Sequence, residues 1–166
     1  MKIQIGGLSE GLHHYRFTVQ PEVLELGTAF HHTVVVETTL DKSPNQILVT
    51  SSIRTVGTFA CDRCVSDFEE ELTPSYRLFY MMEGAETAHL DPVEFQMLSP
   101  SQNIIDIADD VRQTLLLAIP LKLLCKESCK GLCPHCGKNL NSGACSCKEE
   151  ELDPRWDELR RLQNNY

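Results

Sequence analysis

Eight cysteines in 166 residues, six of them crowded between positions 125 and 147, constrain this chain more than any other feature. They fall as Cys61-x2-Cys64, then Cys125-x3-Cys129-x3-Cys133-x2-Cys136-x8-Cys145-x-Cys147. In Cys133-Pro134-His135-Cys136-Gly137 the two-residue spacing lets both sulfurs grip one ion. Pro134 stiffens the turn, and Gly137 lets the backbone fold back so that amides face the thiolates. This is the pattern of a zinc knuckle. Four thiolates suit the tetrahedral preference of zinc, and such a site supplies folding free energy to a segment that cannot build a core, as between Lys138 and Lys148. Eight thiolates suffice for two structural zinc ions. One pairing closes Cys133, Cys136, Cys145 and Cys147 locally and leaves Cys61 and Cys64 to join Cys125 and Cys129, pinning a strand end to a helix end. Another places Cys125, Cys129, Cys133 and Cys136 on one ion. Cys61-x2-Cys64 by itself also fits ordinary half-buried thiols, or a redox-responsive dithiol, although no thioredoxin-like βαβ pattern surrounds it.

The cysteines read as metal ligands rather than disulfides because the chain reads as cytoplasmic. The N-terminal MKIQIGGLSEGLHHYRF has neither an apolar stretch of roughly 7–15 residues nor the Arg- and Ser-rich pattern of a transit peptide. The longest apolar run, Leu115 to Ile119, is far short of the ~20 residues that span a bilayer, so no membrane partner is expected. At roughly 150 residues per domain the length predicts one compact unit. Its net charge of −9 argues against bulk electrostatic coating of nucleic acid. That charge is uneven. Lys122, Lys126, Lys130, Lys138 and Lys148 share residues 121–148 with a single acid, Glu127. The chain therefore divides into an acidic β-rich body, residues 1–120, and a basic cysteine-rich module, residues 121–166. The five lysines are candidate phosphate contacts for RNA, and they also offset the negative charge of zinc–thiolate clusters. The acidic body could instead capture a basic protein.

Strand signals dominate the body. Thr33–Leu40 and Ile47–Ala60 are β-branched runs joined by the turn-like DKSPN, with Ile47, Val49, Ile53 and Phe59 on one face of the second. Further strands are expected at Val65–Leu72 and Tyr76–Met82, with weaker ones at Lys2–Ile5, Tyr15–Val19 and Val93–Leu98; Glu83–Pro92 reads as a loop. Residues 106–119 change to a helical period, with Asp106 as N-cap and Ile107, Ala108, Val111, Thr114, Leu115 and Ala118 on one face, stopped by Pro120. Asp153–Pro154 followed by Trp156, Leu159 and Leu162 predicts a short C-terminal helix. The fold class is thus α+β: an antiparallel sheet or partly closed barrel, one packed amphipathic helix and a C-terminal zinc-binding module. No G-x-S-x-G, P-loop, Rossmann glycine pattern or His-Glu-x-x-His is present, and an ion held by four cysteines has no open position. No enzymatic activity and no small-molecule substrate are expected. The adjacent pairs His13-His14 and His31-His32 lack metal-binding spacing, and Glu69-Glu70-Glu71 reads as a solvated strand edge.

CDRC (Cys61 to Cys64), AIPLKLLC (Ala118 to Cys125), CKESCKGLCPHCGKNLN (Cys125 to Asn141) and DPRW (Asp153 to Trp156) together resemble the YceD-like proteins, the large ribosomal RNA subunit accumulation proteins. The resemblance spans nearly the whole chain in the same order. It implies a bacterial or plastid-type factor needed for normal accumulation of large-subunit ribosomal RNA, without established enzymatic activity, whose partners are that RNA or a basic ribosomal protein.

Overall fold

The computed structural model describes residues 1–82 and 95–147. Among these residues eight strands and one α-helix follow in the order β1 (Lys2–Gln4), β2 (Gly11–Val19), β3 (Val34–Lys42), β4 (Gln46–Ala60), β5 (Asp67–Leu72), β6 (Ser75–Met82), β7 (Phe95–Leu98), β8 (Ile104–Asp106) and α1 (Ala108–Leu117). A turn of 3-10 helix, Pro21–Leu24, leads from β2 toward β3.

The main sheet runs β2-β3-β4-β6-β7, and β5 pairs with the far half of β4. β4 organises it. Along one edge it meets β3, with Val36 opposite Ile53 and Leu40 opposite Val49. Along the other, Thr55 to Ala60 pair with β5 and Gln46 to Ser52 with β6. β5 and β6 are therefore consecutive segments of one antiparallel arm, interrupted at Thr73-Pro74, where proline has no N–H to give the ladder; the Pro74 carbonyl still accepts the Ile53 amide at 2.9 Å. The turn of this long hairpin is Cys61-Asp62-Arg63-Cys64, so the sheet itself places the first cysteine pair at a tip.

One sheet face is apolar. Val34, Val36, Leu40, Ile47, Val49 and Ile53 are at most 2 % exposed and share a core with Ile105, Ile107 and the α1 residues Val111 and Leu115. β-branched side chains alternating along β3 and β4 fill it as the pattern requires. Three buried polar residues share this face: Thr38 and Ser51 satisfy each other at 2.9 Å between their hydroxyls, and the Thr55 hydroxyl donates to the His32 carbonyl at 3.4 Å.

Several expectations are corrected. The sheet is open rather than a partly closed barrel, and it is mixed, because β7 runs parallel to β6, with Phe95 opposite Phe79. The helix begins at Ala108, two residues later than expected: Asp106 ends β8, paired with Lys2, and its carboxylate accepts the Ala108 amide at 3.1 Å from outside the helix. Val65 lies just after the Cys61–Cys64 turn and not in a strand, and Glu70 is half-buried rather than solvated. The loop Glu83–Pro92, residues 93–94 of the expected strand, Lys148 and the helix around Trp156, Leu159 and Leu162 lie outside the described residues. Among the described residues no helix is long and apolar enough to cross a membrane.

Candidate metal centres

The hairpin tip and the segment after α1 converge. Cys61, Cys64, Cys125 and Cys129 bring their sulfurs within 4.8 Å of one another, and Cys133, Cys136, Cys145 and Cys147 do the same. These are the inner and outer groups below. Of the two pairings open from spacing, the geometry follows the one that splits the cysteines between hairpin tip and local loop, and Cys145 and Cys147 both join the outer group despite their tight spacing.

The separations carry chemical information. The Cys61 and Cys129 sulfurs are 3.8 Å apart, those of Cys64 and Cys125 3.7 Å, and those of Cys133 and Cys145 3.4 Å. A disulfide needs about 2.05 Å. Four sulfurs lying about 2.3 Å from a central zinc form a tetrahedron with edges of about 3.8 Å. The donor set fits a four-coordinate zinc ion in each group; the inner separations match that edge, while the outer one, at 3.4 Å, is shorter than it.

Both groups use one local device. Cys61 and Cys133 each open a four-residue turn whose closing amide returns to the first cysteine: Val65 N–H donates to the Cys61 carbonyl at 2.8 Å, Gly137 N–H to that of Cys133 at 2.9 Å. The turn leaves the fifth residue left-handed, at φ 58° for Val65 and 71° for Gly137. Glycine accepts this freely, whereas a β-branched valine is strained there. Amides then face the leading sulfur. They hold Cys61 down to about 6, with the Cys125 amide the largest cause and those of Cys64 and Arg63 helping. Cys133 is likewise lowered to about 6 by the Cys136 and His135 amides. Cys64 is lowered chiefly by the Ser66 amide. Burial and the neighbouring thiols push Cys125 up to about 12, and Cys147 reaches about 12 chiefly through the Cys136 thiol. Each group thus ionises readily at its leading sulfur and resists accumulating four negative charges, the imbalance that a divalent cation relieves.

The inner group is the better enclosed. Cys61, Cys64 and Cys129 are at most 4 % exposed, whereas Cys136 and Cys147 of the outer group are exposed. Asp62 and Arg63, the residues between the first two cysteines, hold the enclosure together. Asp62 N–H donates to the Leu123 carbonyl at 2.8 Å while its carboxylate accepts the Leu123 amide at 2.7 Å. Arg63 Nη1 donates to the carbonyls of Glu127 and Cys129 at 3.1 and 2.9 Å. Gly131 passes so close that a Cβ there would sit 3.1 Å from the Arg63 carbonyl, at a φ of 75°. Sequence reasoning missed Asp62 and Arg63; the signal was their position inside CDRC, where charged side chains at a hairpin tip have few targets other than the facing loop.

Lys122, Lys126, Lys130 and Lys138 are exposed around this module, while Lys148 lies outside the described residues. Lys138 turns back on its own loop, its ammonium donating to the Ala144 carbonyl at 2.9 Å. Glu69 faces His32 at 3.5 Å and Glu71 faces Arg54 at 3.6 Å.

Comparison with known proteins bears on this arrangement. The family model described as "Large ribosomal RNA subunit accumulation protein YceD" matches residues 49–163, which takes in all eight cysteines. The chain belongs to the YceD family. It is 26 % identical over 136 residues to the Arabidopsis thaliana protein named "Large ribosomal RNA subunit accumulation protein YCED homolog 1, chloroplastic", covering 67 % of this chain and 42 % of that protein. It is 30 % identical over 120 residues to an uncharacterized protein of Mycobacterium tuberculosis, covering 68 % of this chain and 54 % of that one. The Zea mays protein of the same description as the Arabidopsis one matches more narrowly, 43 % over 49 residues, 29 % of this chain and 17 % of that protein. The chain thus spans about half the length of the first two relatives. No solved structure matches it.

Proposed function

We propose that this chain is a non-catalytic ribosome-biogenesis factor supporting accumulation of large-subunit ribosomal RNA, shaped by two structural zinc ions. The observation that carries the metal half is the pair of four-cysteine groups, each with its sulfurs within 4.8 Å of one another and the inner one at tetrahedral edge lengths. The RNA half is supported by membership of the YceD family. Cys61, Cys64, Cys125 and Cys129 would hold one ion and Cys133, Cys136, Cys145 and Cys147 the other. With four thiolates each, the ions supply folding free energy and no open position for a substrate. The inner one fastens the hairpin tip of the sheet to the chain leaving α1; the outer one shapes a loop with few apolar residues. Contact with ribosomal RNA is assigned to the exposed lysines of the module, with a basic ribosomal protein on the acidic body as the competing partner.

A redox dithiol at Cys61 and Cys64 draws on the lowered Cys61 pKa, but burial of both sulfurs closes them to an attacking thiol. Elemental analysis of chain purified without chelators tests the metal: about two zinc per chain, with thiols titratable only after chelation, is expected. Less than half an equivalent with eight free thiols would end the reading. Co-sedimentation with ribosomal particles, followed by crosslinking, tests the partner; absence from large-subunit precursors would refute it.

A further inference from the structure

The two cysteine groups are joined by more than the chain between them. The loop that runs from Cys136 to Cys145, and so belongs to the outer group, reaches back over the inner one. Asn141 Nδ2 donates to the Cys129 sulfur at 3.2 Å, and its Oδ1 accepts the Lys130 amide at 2.9 Å. Asn139 fixes that side chain: its Oδ1 accepts both the backbone and the side-chain N–H of Asn141 at 2.9 Å, and its Nδ2 donates to Ser66 Oγ at 3.1 Å, beside the hairpin tip. The Leu140 amide donates to the Gly131 carbonyl at 2.9 Å, and the Cys133 amide to that of Lys138 at 2.8 Å. One outer-group loop thus delivers an amide to one inner-group sulfur. A donor aimed at a ligating thiolate orients it and stabilises its charge, and loss of such a partner typically costs 10–100-fold in metal affinity.

We propose that Asn141 is a positioning residue that makes the two metal centres cooperative. An ion in the outer group folds residues 137–145 and thereby sets the Asn141 amide on Cys129 of the inner group. Because coupling between binding free energies is reciprocal, an ion in the inner group tightens the outer by the same factor. The kinetics are not symmetric. Cys136 and Cys147 are exposed while Cys61, Cys64 and Cys129 are buried, so a chelator reaches the outer ion first and the inner ion loosens afterwards. The proposal rests on the zinc reading above and adds the dependence of one site on the other.

Equilibrium removal of zinc from the full chain by a competing metallochromic chelator provides the test. Wild-type protein should give up its two ions cooperatively, and the affinity that survives in Cys136→Ser is that of the inner site without its outer partner. Asn141→Ala should weaken the inner site about tenfold and, because coupling is reciprocal, the outer site by a comparable factor, so that removal is no longer cooperative. The inner affinity in Cys136→Ser should match that in Asn141→Ala, and the double variant should be no weaker than either single one. Inner affinity unchanged in either single variant, or effects that multiply in the double one, would overturn the proposal. A second measurement needs no variant: once a substoichiometric chelator has taken the outer ion from wild-type protein, the Lys130 amide should exchange with solvent faster, because its Asn141 acceptor has moved. Undiminished protection would also overturn the proposal. Two zinc equivalents with independent release defeats this coupling alone; absence of zinc defeats the metal reading with it.

Discussion

Replacing Cys64 with serine should cost far more than replacing Cys136, although each removes one sulfur from a four-cysteine group. Cys64 lies at the tip of the β4–β5 hairpin, 4 % exposed, opposite Cys125 at 3.7 Å, and its group joins the sheet to the segment that leaves α1. An ion that binds only the folded chain, present at about a thousand times its dissociation constant, contributes about 4 kcal/mol to stability. Loss of that ion should lower Tm by roughly 8–16 °C, at 2–4 °C per kcal/mol for a chain of this size. Cys136 is exposed, and its group is closed within residues 133–147. Its loss should act on the rest of the fold only through the tenfold weakening of the inner ion, about 1.4 kcal/mol or roughly 3–6 °C. Calorimetry of both variants at fixed free zinc, with elemental analysis alongside, measures the difference. Equal Tm losses would refute the division into an enclosed anchoring centre and a peripheral one, and would favour a single shared metal network.

Two further outcomes follow from the knuckles. Val65→Gly should raise Tm by about 2.5–5 °C with zinc content unchanged: relief of about 2 kcal/mol of left-handed strain, less about 0.75 kcal/mol for the entropy of glycine, leaves about 1.25 kcal/mol at 2–4 °C per kcal/mol, and Val65 is 67 % exposed, so little burial is lost; a lower Tm would contradict the strain. Zinc uptake by metal-stripped protein should slow as pH falls through about 6, because Cys61 and Cys133, whose amides keep them ionised above that value, regain protons below it; equal uptake rates at pH 5 and pH 7 would contradict this.

Much of the architecture was legible because local pattern and tertiary role agreed. The alternation in Ile47–Ala60 gave the long strand, since every second residue there meets the core, and Val111 with Leu115 gave the buried side of α1. Whether the sheet closes was not legible. Closure depends on whether the edge strands meet, and neither β2 nor the four-residue β7 carries a sequence signal for its neighbour; the parallel pairing of β7 arises from the return of the chain after β6. Asp106 misled as an N-cap because capping and strand-end residues share one chemistry, an acid accepting a nearby amide. At the metal groups, cysteine spacing identified the ligands but could not choose between the pairings, because the choice depends on the hairpin placing its tip against residues about 60 positions later. Asn139 and Asn141 escaped notice for a related reason: asparagine spaced by two in a loop ordinarily reads as turn chemistry, and their targets, Ser66 and Cys129, are reached only once both groups have closed.

The charge of the proposed metal groups bears on which of the two proposed partners, RNA or a basic protein, the module would favour. A zinc ion on four thiolates leaves each group at about −2. On the proposed reading, four described lysines around two such groups would offset clustered negative charge before offering any surplus, and any attraction to RNA would be local, lysine to phosphate. Lys138 already donates to Ala144, and Lys122 lines a small cavity with Glu70 and Phe68, so reversing either one disturbs the module itself. Lys126 and Lys130 are the clean probes. If they touch phosphate, Lys126→Glu with Lys130→Glu should weaken association with ribosomal particles, and the slope of log affinity against log salt should become shallower by about 1.4–1.8 with zinc retained. On the acidic side Glu70 is half-buried, so Glu69 and Glu71 are the corresponding probes. Reversing those two should leave RNA association intact and slow capture of a basic protein mainly through its association rate. Salt dependence alone does not discriminate, because both modes weaken with salt; the location of the charge that changes it does. Unchanged affinity and slope in the Lys126 and Lys130 variant, with zinc intact, would transfer the contact to the acidic body.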